Sequence, residues 1–199
     1  MIEVVFLDFY GTLAHFTPEP ESIQEHACAA EGVQITLESL RIGYPLADKY
    51  MAQENSHWPI WSRSTLEQEQ FFARYQLVLL SGAGVEVSYS KAIRIWKRVN
   101  QASKSLELFE DALPTLKQLN AENLTVGVIS NMHETRLKQL IGDLNLADLI
   151  HIQSTSSGVG YSKPHPEIFK DAISKVGTNP DQALHVGDDY EGDFKGALA

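Results

Sequence analysis

A chain of 199 residues with 43% apolar and 21% charged side chains has the length of one large domain, or a domain with an insert, and the composition of a soluble globular protein. A formal net charge of −10 without a Lys/Arg stripe argues against nucleic acid as the main partner, and no window approaches the ~20 apolar residues of a membrane span. The N-terminal run carries Glu3 and Asp8 and no basic lead, which speaks against a signal peptide, and the single Cys28 excludes a disulfide framework, so a reducing cytoplasm is expected.

Residues 3–8 read as a buried strand, Val4-Val5-Phe6-Leu7 closing on Asp8 and followed by a Gly11-Thr12 turn. That places a carboxylate at the C-terminal tip of a strand, where open α/β sheets carry their chemistry. From residue 14 to 105 the texture is helical. Ile23, Ala27 and Ala30 form one stripe; Leu66, Phe71, Phe72, Tyr75 and Leu79 form another. Pro18, Pro20, Pro45 and Pro59 punctuate it, and Trp58, Trp61 and Trp96 all lie in it. Such aromatic residues are usually core; Tyr44, His57, Trp58 and Trp61 are the candidates to face a cleft. Lys91, Arg94, Lys97 and Arg98 fall at helical spacing and read as a solvated face. Cys28, set between alanines, reads as a small buried residue rather than a nucleophile.

After residue 106 an α/β rhythm begins. Residues 114–120 suit a helix, 124–129 a buried strand ended by Ser130-Asn131, and 134–141 a helix. Residues 149–153 read as a short strand, 166–176 as a helix stopped by Gly177, and 183–186 as a strand ended by Gly187-Asp188, with a helix starting near Glu191. Such alternation implies a parallel sheet with helices on both faces.

Three further positions carry chemistry. Ser130 puts a hydroxyl at a strand tip beside the free N–H groups of the next helix, a setting for an anionic oxygen; a helix cap is the plainer use. Lys163 stands in Lys-Pro-His-Pro, where two prolines stiffen the approach to a helix. Gly187-Asp188-Asp189-Tyr190-Glu191-Gly192-Asp193 clusters carboxylates at a strand end, and oxygen-only donors suit Mg²⁺.

Taken in order, Asp8 to Leu13, Ser130, Lys163 and the run from Gly187 to Asp193 resemble the four motifs of the haloacid dehalogenase (HAD) superfamily. The resemblance covers essentially the whole chain outside the helical segment. It implies a HAD-type Rossmann-like α/β core from residues 1–13 and 106–199, a helical cap from 14–105, and an active site in the cleft between them. It further implies Asp8 as nucleophile, Lys163 and Ser130 as its catalytic partners, and Gly11, Thr12, Asn131 and Lys163 as substrate-binding groups. Mg²⁺ would be held by Asp8, the main-chain carbonyl of Tyr10, Asp188 and Asp193, with Asp189 and Asp193 reaching its waters.

Tyr10 departs from the phosphatase pattern, in which a second Asp serves as general acid/base at this position. Asp-x-Tyr-Gly-Thr-Leu resembles the 2-haloacid dehalogenases, which release halide without a proton. Those enzymes, however, need no metal and lack the doubly acidic fourth motif. The fourth motif outweighs Tyr10 and favours a Mg²⁺-dependent phosphatase of a small phosphorylated metabolite acting through an aspartyl-phosphate. A metal-independent 2-haloacid dehalogenase is the first alternative; a low-activity protein that binds a phosphometabolite or partner is the second. A monomer or homodimer is expected. The chain stops within an apparent helix, where the resemblance implies a further strand and helix. Nothing in residues 14–105 names a substrate.

Overall fold

The computed structural model describes residues 1–199, the side chain of Ser56 aside. Val4–Leu7 (β1) is buried along its whole length because it lies inside a four-stranded parallel sheet. Its neighbours are Thr125–Ser130 (β4), paired from Val4 opposite Thr125, and Ala183–Val186 (β6), paired from Val4 opposite Ala183. Ile152–Thr155 (β5) lies beyond β4, giving the order β5-β4-β1-β6. All strands run the same way, so the ends of β1, β4 and β6 carry Asp8, Ser130-Asn131 and Gly187-Asp188 along one edge.

Period-two alternation sorts the β1 side chains to two faces. Val5 and Leu7 pack with Val126 and Val128 against Ala112–Ala121 (α5) and Glu134–Asp143 (α6), through Leu116, Leu137 and Ile141. Val4 and Phe6 pack with Ile129 against Ile168 and Ala172 of Pro166–Val176 (α8). Each such side chain contributes ~1.5–3 kcal/mol on burial. Helices therefore cover both faces of the sheet. A single-turn helix, Ser156–Val159 (α7), follows β5. β6 is one edge of the sheet, and its Leu184 and Val186 are exposed.

The chain divides into two units, residues 1–15 with 106–199 and residues 16–105. Ala14–Thr17 (β2) and Ser105–Leu108 (β3) pair as a two-stranded ribbon where the chain passes from one to the other. Residues 16–105 form four helices: Pro20–Ala30 (α1), Leu37–His57 (α2), Thr65–Gly82 (α3) and Tyr89–Gln101 (α4). Two capping boxes start α2 and α3: Thr36 Oγ1 accepts from the Ser39 N–H, and Ser64 Oγ from the Glu67 N–H. The apolar stripes meet in a core of Cys28, Leu40, Leu79, Leu80 and Ile95, with Gln24 and Gln76 exchanging a pair of buried amide hydrogen bonds at 2.8 and 3.0 Å.

Several sequence expectations change here. The helix near residue 114 starts earlier, at Ala112. Residues 149–150 are a turn rather than the start of a strand, because the Leu149 N–H returns to Leu146 and Ile150 is drawn into the core; β5 begins at Ile152. The helix near Glu191 is a π-helical turn, Tyr190–Lys195. β2 and β3 have no signal in the helical texture, since each is fixed by a partner about ninety residues away in sequence.

Candidate active site

Asp8 follows the last residue of β1, and the backbone there is tightly folded: the Gly11 N–H donates to the Ala14 carbonyl, and the Ala14 N–H to that of Phe9. Gly11 has φ +87°, and a Cβ on it would overlap the Asp188 carboxylate, so the turn demands glycine on both counts. The Thr12 hydroxyl donates to Asp188 Oδ1 at 3.3 Å, tying the first turn to the tip of β6. At Gly187 space alone is the constraint, since its Cβ would fall on the Asp193 carboxylate.

Lys163 is brought to this point by the segment before α8, where the His165 side chain accepts from the Glu167 N–H and Pro166 takes the first helical position. Its backbone is clamped by Asn131, whose Oδ1 accepts from the Lys163 N–H at 2.6 Å and whose Nδ2 donates to the Lys163 carbonyl at 3.1 Å. Asn131, expected to touch substrate, therefore has both ends of its amide engaged on the lysine. The ammonium is buried between two carboxylates, 2.7 Å from Asp8 Oδ1 and 2.5 Å from Asp193 Oδ1. Asp193 Oδ2 accepts from the Asp189 N–H at 3.1 Å. Asp189, expected to reach the waters of a bound Mg²⁺, is exposed, and its Oδ1 accepts from the Glu191 N–H and caps the turn.

One oxygen from each of Asp8, Asp188 and Asp193 lies within 4.8 Å of the others. The buried Asp8 and Asp193, both paired to Lys163, and the exposed Asp188 together form an oxygen donor set that fits a hard divalent cation. Burial pushes the Asp8 carboxyl up against the opposing pull of Lys163. Burial also raises Asp188, with the charge of Asp193 adding to it. Burial opposes ionisation of Asp193 too, but the hydrogen bond from His185 and the charge of Lys163 hold it at about 2.

Of the remaining expected groups, Ser130 is buried at the end of β4, one strand from Asp8. Tyr10 is half-buried and bridges to Ala14. His15 packs against Phe109 with ring centres 4.7 Å apart and the rings tilted by 34°. Within residues 16–105, the Tyr44 hydroxyl donates to the Pro20 carbonyl, His57 Nδ1 lies 2.8 Å from the Gln53 carbonyl, and Trp58 and Trp61 are exposed. Arg94 and Arg98 both pair with Glu31, and Lys97 with Glu69. Cys28 is fully buried, and burial raises its thiol, the opposite of what a nucleophile needs.

Sequence reasoning missed His185. Its Nε2 lies 2.8 Å from Asp193 Oδ1, the same oxygen that receives Lys163. The available signal was its parity: Leu184 and Val186 share one face of β6, which turns the histidine to the face shared with Phe6 and α8.

A family model described as haloacid dehalogenase-like hydrolase matches residues 2–199. The human haloacid dehalogenase-like hydrolase domain-containing protein 3 is 28% identical over 173 residues, 85% of this chain and 67% of that protein. A glyceraldehyde 3-phosphate phosphatase of Methanopyrus kandleri is 29% identical over 92 residues, 46% of this chain and 40% of that protein. Among solved structures, the magnesium-bound HAD-hydrolase YfnB of Bacillus subtilis superposes with a TM-score of 0.64 at 14% identity, over 99% of this chain and 84% of that one. The L-2-haloacid dehalogenase RSc1362 gives 0.63 at 19%, over 99% and 82%. At these identities the solved structures establish the fold alone.

Proposed function

Since the chain belongs to the haloacid dehalogenase-like hydrolase family, we propose that it is a Mg²⁺-dependent phosphatase of a small phosphorylated metabolite, working through an aspartyl-phosphate on Asp8. The observation that carries this reading is the surplus of acid: Asp8, Asp188 and Asp193 converge where a single lysine stands. Halide displacement has no use for a cation-binding cluster. The partial likeness to a glyceraldehyde 3-phosphate phosphatase supports the same choice.

Asp8, Asp188, Asp193 and the main-chain carbonyl of Tyr10 would hold Mg²⁺, which when bound supplies positive charge to the phosphoryl oxygens. Asp8 supplies the electron pair that forms the new O–P bond while the ester O–P bond breaks and the alcohol oxygen leaves with its electrons. Lys163 stabilises the anionic oxygens at the same point and pulls Asp8 towards its ionised form against the effect of burial. Gly11, Thr12 and Ser130 line the strand tips around the nucleophile; Asn131 fixes Lys163. Water then cleaves the acyl phosphate, restoring Asp8 and releasing inorganic phosphate. Tyr10 gives no carboxylic acid to protonate the leaving group, and a phenol of ordinary pKa ~10 is a weak base at neutral pH. The enzyme is therefore slow on unactivated alcohols, or draws the proton from elsewhere.

Tyr10 also favours a second reading, 2-haloacid dehalogenation, in which no leaving-group proton is needed. One pair of assays separates them. Hydrolysis of p-nitrophenyl phosphate that requires Mg²⁺ and is lost in Asp8→Asn supports the phosphatase; metal-independent chloride release from 2-chloropropionate overturns it. Binding of inorganic phosphate without turnover of either substrate would point to a non-catalytic binding protein.

A further inference from the structure

Resting on that reading, we infer that His185 is a positioning residue for the nucleophile, acting through Asp193 and Lys163. The histidine sits in β6 facing α8, and its side chain is 5% exposed. Nε2 meets Asp193 Oδ1 at 2.8 Å, and the same oxygen receives Lys163 Nζ at 2.5 Å. Lys163 in turn reaches Asp8 at 2.7 Å. The other carboxylate oxygen is held by the Asp189 N–H. Asp193 is thus fixed by three donors from three different segments, and only the histidine can be removed without touching the lysine or the backbone.

The ring itself is held in one orientation. Phe169 packs edge-on against it at 5.4 Å and 84°. Nδ1 is buried and has no hydrogen-bond partner among the described residues, so a proton there would have nowhere to donate. Of the two ring nitrogens Nε2 is the one with a partner, and a proton on it is accepted by Asp193 Oδ1. An orphaned buried acceptor inside a strand is unfavourable for folding, and an apolar side chain would fill this place at lower cost. Its presence is accounted for by what Nε2 does: it stops the Asp193 carboxylate from turning, which would carry Lys163 away from Asp8.

The test compares His185→Leu, which removes the donor, with His185→Gln, whose amide nitrogen reaches the Nε2 position. With p-nitrophenyl phosphate and saturating Mg²⁺, His185→Leu should lower kcat by about 10–100-fold with KM changed less than about threefold, and His185→Gln should recover most of the loss. In an Asp193→Asn background the Leu substitution should cost less than about twofold, because the residue through which it acts is already altered. Equal losses in the Leu and Gln variants, or an undiminished loss in the Asp193→Asn background, would overturn the inference.

Nitrogen NMR of ¹⁵N-histidine-labelled wild type tests the geometry independently of turnover. The His185 ring should carry its proton on Nε2, slow to exchange, and Asp193→Asn should speed that exchange. A proton on Nδ1, or exchange indifferent to Asp193, would refute the inference even if no phosphatase activity were found. Inactivity of the wild type with the expected NMR behaviour would sink the phosphatase reading and leave the His185–Asp193 geometry standing.

Discussion

Replacing Lys163 by Met removes a charge while nearly preserving volume, and the consequence follows from the site's geometry. The ammonium is 4% exposed and lies within 2.7 Å of Asp8 and 2.5 Å of Asp193, which are themselves 11% and 2% exposed. Without it, two buried carboxylates face each other beside Asp188 with no counter-charge. Breaking a buried pair by removing one partner costs about 3–5 kcal/mol, and the size of that penalty depends on pH. With the cation gone, Asp8, which burial already holds above its ordinary value, is pushed further up, and Asp193 loses a charge that holds it low. A carboxylate so shifted destabilises the fold in full above its folded pKa, and the penalty fades as pH falls through it. Urea unfolding should therefore show Lys163→Met about 3–5 kcal/mol less stable than wild type at neutral pH, with the gap narrowing as the pH is lowered. Saturating Mg²⁺ should narrow the neutral-pH gap, since the carboxylates that have lost their lysine attract the cation more strongly than those of the wild type and are stabilised more by it. Far-UV circular dichroism is the suitable probe, because Trp58, Trp61 and Trp96 all lie in residues 16–105 and report on the other unit. A gap below about 1 kcal/mol at neutral pH, or one unchanged by acid, would refute the view that Lys163 compensates a buried acid cluster.

Other perturbations probe the rest of the site. Tyr10→Asp restores a carboxylic acid and should raise kcat on phosphate esters of poor leaving groups by up to ~10²–10⁴, and less on p-nitrophenyl phosphate; equal rates for the wild type and this variant would show that another group supplies the proton. Gly11→Ala forces a side chain into a left-handed turn and onto the Asp188 carboxylate. It should cost about 1–3 kcal/mol of stability and raise the Mg²⁺ concentration for half-maximal activity by about tenfold or more, read from a metal titration of p-nitrophenyl phosphate hydrolysis.

The parts legible in the sequence are those whose signal is local. β1 announces itself by four apolar residues ending in Asp8, and Lys163 by the prolines on either side of His165. The convergence of their side chains follows once parallel strands place their ends along one edge. What escaped is non-local or depends on a single atom. β2 and β3 exist only as each other's partners. Asn131 looked like a substrate ligand, yet its amide meets the backbone of a residue 32 positions on. His185 has no motif of its own; its role comes from sharing one oxygen of Asp193 with a lysine from another loop. Residues 16–105 show their helices through apolar stripes, but two exposed tryptophans and half-exposed arginines paired to Glu31 carry no chemical signature from which a substrate could be read.

The proposed chemistry turns on Asp8 becoming covalently phosphorylated. Rapid acid quenching of the enzyme with a phosphate ester and Mg²⁺, followed by peptide mass spectrometry, tests this most directly. The peptide bearing Asp8 should gain the mass of one phosphoryl group, the modification should map to Asp8, and it should vanish without Mg²⁺ or in Asp8→Asn. A turning-over enzyme with no adduct at Asp8, or an Asp8 ester formed instead from 2-chloropropionate without metal, would contradict it.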